Sequence, residues 1–535
     1  MNPPPAPRMP RYGRLMAVDS GTFLSGKSSI DTDVDLGIDL GTTRTVVARA
    51  DRGNYPILGF ADEEGDDHDF IPSLTALEDG EMVHGFAARA AARRGAPLLR
   101  SLKRLLASPT VTADTPVELG GQRFTVLDIL TGFLGHLRSR LEAADIDVTR
   151  SRVVVAVPAH AYGAQRLLTL EAFRAAGFHV AAMLNEPSAA GFEYTHRKAS
   201  TVSSKRTRVL VYDLGGGTFD TSLVDVVGTS HEVLASHGLG DLGGDDVDLV
   251  AAQMVLERAG IAEEDLAAAE LDELLEQCRD AKEGLNPQSR RVVVVLRGQD
   301  VIIPVSELYE ACMPLMERSL STMAPLVGHL EDGTPDLTEI AGVYLVGGAS
   351  GLPLVPRLLR ERFGRRVHRS PYPGASTAIG LAIAADRTSD YDLTDRLSRG
   401  FGVFREADGG HRLVFDAILS PDSIQASPGG REGTIITREY QAAHNVGWFR
   451  YVECADVDEA GEPSGELAPY QDIVFPLEAG LREVEDLRDV PVERRDHGAR
   501  IQEHYRIDEA GLVRVTITDL SDGYCRQYVL GRRTH

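Results

Sequence analysis

The sequence has little lysine, cysteine and tryptophan, and it has no long apolar run. Five of its 56 basic residues are lysine, and it contains four cysteines and one tryptophan. The cysteines are too far apart for a zinc site or a redox pair, so we expect isolated buried thiols in a reducing compartment. No stretch of about 18 apolar residues occurs, which argues against a membrane-spanning helix. Because arginine replaces lysine almost everywhere, each retained lysine is a candidate for a role that a planar guanidinium cannot fill.

Positive charge is also scarce relative to negative charge. The chain has 56 basic and 80 acidic residues and a formal net charge of −24. Such an acidic protein is not expected to bind nucleic acid or an anionic membrane surface. A length of 535 residues exceeds one ordinary hydrophobic core, so two or more domains are expected. The N-terminus is Pro-rich and basic and lacks the apolar core of a secretory signal, which predicts a disordered tail and a cytoplasmic location.

One short motif in this tail matches a phosphate-binding loop. Gly21–Ser28 reads GTFLSGKS and fits the pattern GxxxxGK[ST]. That loop acts through the N-terminus of the helix that follows it. Here the next ordered pattern is the strand VDLGIDL, which leaves no room for a helix. We therefore expect no phosphate binding at Lys27.

A related acidic glycine turn occurs twice further along the chain. The segments read GIDLGTTRTV, which contains Asp39, and VYDLGGGTFD, which contains Asp213. Glycine permits tight turns whose backbone N–H groups point at phosphate oxygens, and an Asp at the strand end can hold water on Mg²⁺. Either turn alone could be an ordinary structural hairpin. The pair predicts two lobes that clamp a nucleotide between them.

The secondary-structure pattern indicates two α/β lobes of similar plan followed by a β-rich segment. Each turn lies between strand-like runs, and helical segments and another buried strand follow. After about Asp386 the helical pattern gives way to short alternating strands with hairpin turns. We predict a disordered tail at 1–33, a nucleotide-binding ATPase domain at 34–388, a linker at 389–399 and a β-sandwich at 400–535.

Five segments together resemble the signatures of a known family. In order they are GIDLGTT, VPAHAYGAQR, LNEPSAA, VYDLGGGTFD and LGGDDVD, and they resemble those of the DnaK-type heat-shock chaperones of the actin/sugar-kinase ATPase superfamily. The C-terminal part is similar to that family's peptide-binding β-sandwich, whereas the helical lid has no counterpart. The resemblance implies a two-lobed actin-like α/β ATPase domain, a smaller all-β sandwich domain, and ATP or ADP with Mg²⁺ as cofactors. The implied partners are unfolded or extended polypeptides, a J-domain co-chaperone and a nucleotide-exchange factor.

The resemblance also assigns roles to individual residues. The implied catalytic set is Asp39, Lys103, Glu186, Asp213 and Thr218. Within it, Asp39 and Asp213 would hold Mg²⁺ through water, Lys103 would contact phosphate, and Glu186 would position the attacking water. The residues implied in nucleotide binding are Gly41, Thr42, Thr43, Gly215, Gly216, Gly217, Thr218, Lys282, Gly347 and Gly348.

Several of these residues also have ordinary structural explanations. Lys103 and Lys282 could be solvated lysines on helix surfaces. Glu186 could simply begin a helix, because Pro187 follows it and proline is favoured in the first turn. Pro158 could only end a strand.

The chain also departs from the family pattern. Pro158 and Arg166 match residues that relay the nucleotide state between domains, but the segment HAYG stands where the family has an aromatic-Asn-Asp segment. The family clamps adenine between two arginines, and the matching positions here are Glu283 and Gly351. The segment SDYDLTD replaces the leucine-rich interdomain linker. We therefore expect an intact phosphate end and an altered adenine grip.

The sequence predicts an ATP-dependent chaperone of the DnaK type that hydrolyses ATP by in-line attack of water. One alternative is a nucleotide-binding regulatory or scaffold protein that does not hydrolyse ATP. Another is a sugar-kinase-like phosphotransferase, which the β-rich C-terminal third disfavours.

Overall fold

The computed structural model describes residues 34–330, 334–421, 423–426 and 432–531. All of these residues belong to one compact unit. The predicted N-terminal tail and its GTFLSGKS motif lie outside the described residues. No helix in the described part of the chain is long and apolar enough to cross a membrane.

The first lobe is built on a five-stranded sheet. The hairpin strands Asp35–Leu40 and Arg44–Arg49 pair antiparallel, and the first of them also pairs in parallel with Arg152–Val157. The strand order across the sheet is Val180–Asn185, Arg152–Val157, Asp35–Leu40, Arg44–Arg49 and Ile71–Pro72.

The second lobe repeats this plan in a six-stranded sheet. Arg208–Leu214 and Phe219–Val227 form the hairpin, and the first of them pairs in parallel with Ile340–Val346. The strand order is Val367–Arg369, Ile340–Val346, Arg208–Leu214, Phe219–Val227, Ser230–Leu239 and Asp392–Thr394. Because each acidic glycine turn closes the corresponding hairpin of its lobe, the predicted internal duplication is confirmed.

Two helices separate the sheets and bring the lobes together. Glu186–Lys198 and Ser376–Ala385 pack against each other in a shared core with apolar residues from both sheets. The helices approach so closely that a Cβ at Gly380 would lie 1.8 Å from the carbonyl oxygen of Ala189. Glycine at this position therefore fixes how the helices cross, and with it how the two turns face each other.

The remaining helices cover the outer faces of the two sheets. They are Gly85–Arg93, Val126–Glu142, Gly163–Ala175, Gly244–Ala259, Ala268–Glu283, Val305–Met323 and Leu354–Phe363. Smaller strands are Phe60–Ala61, Asp67–His68, Thr75–Glu78, Glu81–His84, Leu98–Leu99, Pro116–Leu119, Gln122–Thr125, Arg291–Leu296 and Gln299–Pro304.

The C-terminal part consists of two four-stranded antiparallel sheets that share one core. The first sheet has the order Arg412–Leu419, Gly400–Ala407, Val446–Val457 and Pro463–Pro476. The second has the order Ile435–Gln441, Arg500–Ile507, Val513–Asp519 and Cys525–Val529. Phe401 and Phe475 of the first sheet pack with Val515 and Ile517 of the second.

The junction between the α/β lobes and the C-terminal sheets is itself ordered. Within the segment predicted as a linker, Asp392–Thr394 forms a parallel edge strand against Ser230–Glu232 of the second lobe. Ala510 and Leu512, from a turn of the C-terminal sheets, are buried in the core of the first lobe. The C-terminal sheets therefore dock on the first lobe in this structure.

The expectation of buried thiols is wrong for one cysteine. Cys278, Cys312 and Cys454 are buried, whereas Cys525 is exposed. Cys525 begins the strand Cys525–Val529, which lies at the edge of the second C-terminal sheet.

Candidate functional site

A cleft of about 1040 Å³ lies between the two lobes, where the two acidic glycine turns face each other. It gathers residues that are far apart in the chain, from Asp39 to Thr377. The predicted site residues that line it are Asp39, Gly41, Thr42, Thr43, Lys103, Glu186, Asp213, Gly215, Gly216, Thr218, Lys282, Gly347 and Gly348. Gly217 does not line the cleft: its carbonyl oxygen accepts a hydrogen bond from Arg104 at 3.3 Å.

The two turns approach each other closely enough to require glycine. A Cβ at Gly216 would lie 2.6 Å from the hydroxyl oxygen of Thr43, and one at Gly217 would lie 2.6 Å from a methyl carbon of Thr42. Gly347 adopts a φ of 80°, and a Cβ there would lie 2.3 Å from an oxygen of Asp213. Any larger residue at these positions would push the lobes apart or displace Asp213, so the sequence keeps the backbone of both turns available to a ligand.

Four carboxyl groups and one lysine cluster at the floor of the cleft; three of the carboxyl groups line it, and that of Asp220 lies buried beside them. Lys103, 5% exposed, makes an ion pair with the buried Glu186. Asp213 and Asp220 are also buried, at 6% and 1% exposure, and Asp39 lines the same cleft. With only one cation among these four carboxyl groups, the floor carries excess negative charge.

This crowding shifts the pKa values of the floor residues. Burial, reinforced by Glu186, Asp220 and Asp39, raises the pKa of Asp213 well above its usual range. Burial also raises the pKa of Glu186 to about 7, although Lys103 opposes the shift. Burial alone would lower the pKa of Lys103, but Glu186 and Asp39 outweigh it and raise that pKa, which keeps the ammonium charged.

Asp220 is a site residue that the sequence reasoning did not assign. One of its oxygens accepts hydrogen bonds from the Ala159 backbone at 2.7 Å and lies 3.1 Å from the His160 ring, while the other is buried without a partner. Asp220 lies directly opposite Asp213 in the hairpin register. The segment VYDLGGGTFD ends in this aspartate, and that was the available signal. Antiparallel pairing across the turn places the last Asp of the segment opposite Asp213.

The floor fits a hydrated divalent cation. In the described ranges, no three His, Cys, Asp or Glu side chains are placed to ligate a metal ion directly. The raised pKa of Asp213 and the unpartnered oxygen of Asp220 instead mark unbalanced negative charge. Mg²⁺ usually keeps several of its waters and binds through few carboxylates, so this donor set suits it.

Lys282 is committed to a structural contact. It is 9% exposed and donates hydrogen bonds to Asp248 at 2.8 Å and to the Gly244 carbonyl at 2.9 Å. Burial raises the pKa of Asp248 to about 6, against the opposing effect of Lys282. Lys282 therefore ties two helices together at the edge of the cleft, and the structural explanation accounts for its burial.

The far end of the cleft, where the family has two arginines and this chain has Glu283 and Gly351, contains arginines from other positions. Glu283 forms an ion pair with Arg44, which lies across the cleft mouth on the first lobe. A Cβ at Gly351 would lie 2.9 Å from the guanidinium of Arg369, so that side chain occupies the space which glycine leaves open. The guanidinium of Arg357 lies 5.5 Å from the centre of the Tyr309 ring. Arg369 ends the strand Val367–Arg369, whereas Gly351 lies in a 3₁₀ turn earlier in the chain. Spacing along the sequence therefore could not indicate that the two residues are neighbours.

A hydrogen-bond chain leads from the cleft to the junction that precedes the C-terminal sheets. Arg166, 3% exposed, donates to the side-chain oxygen of Asn185. Asn185 immediately precedes Glu186 and donates through its backbone and its side chain to Asp395, at 2.9 and 2.8 Å. Pro158 is buried and lies beside Ala159, which bonds to Asp220. Both predicted relay residues thus lie close to the floor.

Comparison with known proteins gives a consistent result. The Hsp70 protein family matches residues 35–395, more than half of the chain. Chaperone protein HscA of Enterobacter sp. (strain 638) is 34% identical over 368 residues, which cover 66% of this chain and 58% of the relative. HscA of Citrobacter koseri and an HscA homologue of Laribacter hongkongensis are each 33% identical, over 57% and 58% of their lengths. The chain thus spans less than two thirds of the relatives that it matches. The chain belongs to the Hsp70 family.

Proposed function

We propose that this protein is an ATP-dependent chaperone that binds and hydrolyses ATP and so regulates its binding of unfolded or extended polypeptide. The observation that carries the proposal is the facing pair of glycine turns above a floor where Lys103 lies among four carboxyl groups. Hsp70 proteins have a two-lobed actin-like ATPase domain, and the duplicated sheets fit that architecture. We assign the ATPase domain to residues 34–388 and the polypeptide-binding β-sandwich to 400–535.

The residues of the cleft suit positioning and charge compensation more than covalent chemistry. Backbone N–H groups of the turns and the hydroxyls of Thr42, Thr43 and Thr218 would bind phosphate oxygens. Lys103 would offset the charge that develops on the transferred phosphoryl group. Mg²⁺, held through water by Asp39 and Asp213, would supply further charge neutralisation when bound.

Glu186 is suited to positioning the attacking water. Its pKa of about 7 lets it accept a proton near neutral pH, which is where general bases are most effective. Lys103 fixes the carboxyl group by their ion pair, and the helix that begins at Glu186 is held in the shared core of the two lobes. These contacts hold the carboxyl group at the floor of the cleft.

The junction offers a route by which nucleotide could affect the C-terminal sheets. Asn185 binds Asp395 on one side and is followed by Glu186 on the other. A shift of Glu186 on hydrolysis would therefore move a residue bonded to the start of the C-terminal part. A J-domain protein and a nucleotide-exchange factor remain proposed partners, and the cytoplasmic location stays a prediction.

A comparison of peptide release in the two nucleotide states tests this proposal. A fluorescent unfolded polypeptide should dissociate at least about tenfold faster in Mg·ATP than in Mg·ADP, which corresponds to a difference of about 1.4 kcal/mol between the two barriers to release. Asp395→Asn should reduce this ratio and leave nucleotide affinity unchanged, because Asp395 lies outside the cleft. Equal dissociation rates in ATP and ADP for the wild type would contradict the coupling.

A scaffold that binds nucleotide without hydrolysis is the second candidate. The ion pair between Arg44 and Glu283 at the cleft mouth favours it, because this pair has to open or rearrange for a nucleotide to exchange freely. Under this alternative, nucleotide would stabilise the protein and polypeptide would leave nucleotide turnover unchanged.

A further inference from the structure

An extended segment of the C-terminal part is held by contacts to its backbone. We call residues 491–495 the strap. Asn445 donates from its backbone to the Glu493 carbonyl at 3.0 Å. Its side-chain amide donates to the Pro491 carbonyl at 3.0 Å and accepts from the Glu493 N–H at 2.7 Å. The N–H of Arg495 donates to the Ala443 carbonyl at 2.7 Å.

The Asn445 side chain is fixed as a reader of extended backbone. It is 4% exposed, and its own carbonyl accepts from the Leu477 N–H at 2.9 Å, which anchors it to the first C-terminal sheet. A buried amide needs partners for its donor and its acceptor, and here both partners are main-chain groups of the strap. Any extended peptide offers the same alternation of C=O and N–H groups.

The strap contributes little apolar surface to the core. Pro491, Val492, Glu493 and Arg494 are all exposed, with Val492 at 52%. The nearest buried apolar residue before them in the chain is Leu487, in a short 3₁₀ turn at Leu487–Asp489. A segment with few buried contacts opens at a low free-energy cost. Departure of the strap from Asn445 would therefore cost its backbone hydrogen bonds and the ion pairs of Arg494 and Arg495, but little buried apolar surface.

Side-chain contacts beside the strap select for arginine. The guanidinium of Arg494 donates to Glu406 at 2.6 Å, and the ring of His444 lies 3.7 Å from the same carboxyl group. A Cβ at Gly410 would lie 2.4 Å from the Arg494 guanidinium, so glycine leaves room for it. Arg495, the next residue of the strap, pairs with Glu478, so the site combines backbone recognition with two acidic positions.

We propose that the strap is an internal competitor, and that an extended peptide with an arginine at the position of Arg494 binds Asn445 in its place. This inference rests on the proposed polypeptide binding and narrows the substrate class to basic extended segments. A net charge of −24 also favours encounter with basic peptides. Because the strap is tethered, its effective concentration is on the order of millimolar, so it lowers the apparent affinity of an external peptide.

Two substitutions at one exposed position test the competition. Glu493→Pro removes the N–H that Asn445 accepts, whereas Glu493→Ala keeps it; both lose the Glu493 side chain. The probe is a fluorescein-labelled peptide of sequence DVPVERRDHG, the chain's own residues 489–498, added to the full-length protein. If the strap occupies the site about 90% of the time or more, Glu493→Pro should bind the probe at least about tenfold more tightly than Glu493→Ala.

Further arms separate this inference from the proposed function. In the Glu493→Pro background, Asn445→Ala should abolish the gain in probe affinity over Glu493→Ala. A probe with both arginines changed to glutamate should bind to Glu493→Pro several-fold more weakly than the original probe. If Glu493→Pro fails to fold, Arg494→Glu, which places a carboxylate against Glu406 and so displaces the strap, provides a second readout with Arg494→Lys as its control. Equal and measurable probe binding by both Glu493 variants overturns the inference but leaves polypeptide binding intact. No binding of the probe or of unfolded polypeptide by any variant overturns both.

Discussion

Asp213→Asn should make the nucleotide-free protein more stable and should slow the proposed ATP turnover. The substitution keeps the size of the side chain and removes one of four carboxyl groups at the floor of the cleft. Asp213 is 6% exposed, and burial with Glu186, Asp220 and Asp39 raises its pKa well above the usual range. Ionised Asp213 therefore costs free energy in the folded, nucleotide-free protein.

The size and pH dependence of this effect follow from linkage. A carboxyl group with a raised folded pKa binds its proton more tightly when folded, so it favours folding at low pH and this contribution is lost as pH rises. Each pKa unit corresponds to about 1.4 kcal/mol. Without nucleotide, Asp213→Asn should thus raise the free energy of unfolding at pH 7, and should raise it less at pH 4. Loss of a positioned charge should also slow ATP turnover by about 100-fold or more, which is roughly 3 kcal/mol.

Denaturant unfolding and phosphate release measure these two effects. Asp300→Asn is the matched control, because Asp300 is an exposed carboxylate on the hairpin strand Gln299–Pro304. That control should change neither quantity. Mg·ADP should stabilise the wild type more than it stabilises Asp213→Asn. The difference in unfolding free energy between the two proteins should therefore shrink or change sign when nucleotide is added. Turnover like the wild type, or a nucleotide-free variant less stable by 1 kcal/mol or more, would refute the reasoning.

Three further predictions concern other parts of the chain. Arg369→Ala should weaken ATP binding by about 0.5–2 kcal/mol and leave the affinity for inorganic triphosphate unchanged, as measured by calorimetry. Arg365→Ala is the control and should change neither affinity. Equal losses of affinity for both ligands would exclude contact between Arg369 and the base. Lys27→Ala should leave nucleotide affinity unchanged, and loss of binding would restore the GTFLSGKS loop as the site. Burial lowers the pKa of His231 to about 4, so stability should fall by up to about 3 kcal/mol from pH 6.5 to 4, and His231→Asn should flatten this slope. An unchanged slope would show that His231 does not titrate in this range.

The architecture of the cleft followed from local sequence features. Both acidic glycine turns, their flanking strands and the strands that pair beside them were predictable, because hairpin and strand signals are local. Retained lysine was a useful marker for Lys103, which is buried in an ion pair. The rarity of lysine did not indicate the contact that Lys282 makes, because its partner Asp248 lies on another helix.

Features formed by distant segments were not predictable in the same way. Arg369 fills the space beside Gly351, and this depends on how two strands of the second lobe sit side by side. The polar segment SDYDLTD suggested a free linker, yet Asp392–Thr394 completes a sheet. The strap gave no signal, because backbone recognition by Asn445 leaves no side-chain pattern in the segment that it binds.

Steady-state phosphate release with and without an unfolded polypeptide tests the central claim most directly. The account predicts Mg²⁺-dependent multiple turnover that polypeptide accelerates, and a loss of about 100-fold or more in Lys103→Ala. Thermal unfolding of Lys103→Ala with and without nucleotide would show that the variant is folded. Wild-type phosphate release no faster than that of folded Lys103→Ala, with or without polypeptide, would contradict the claim that this cleft hydrolyses ATP.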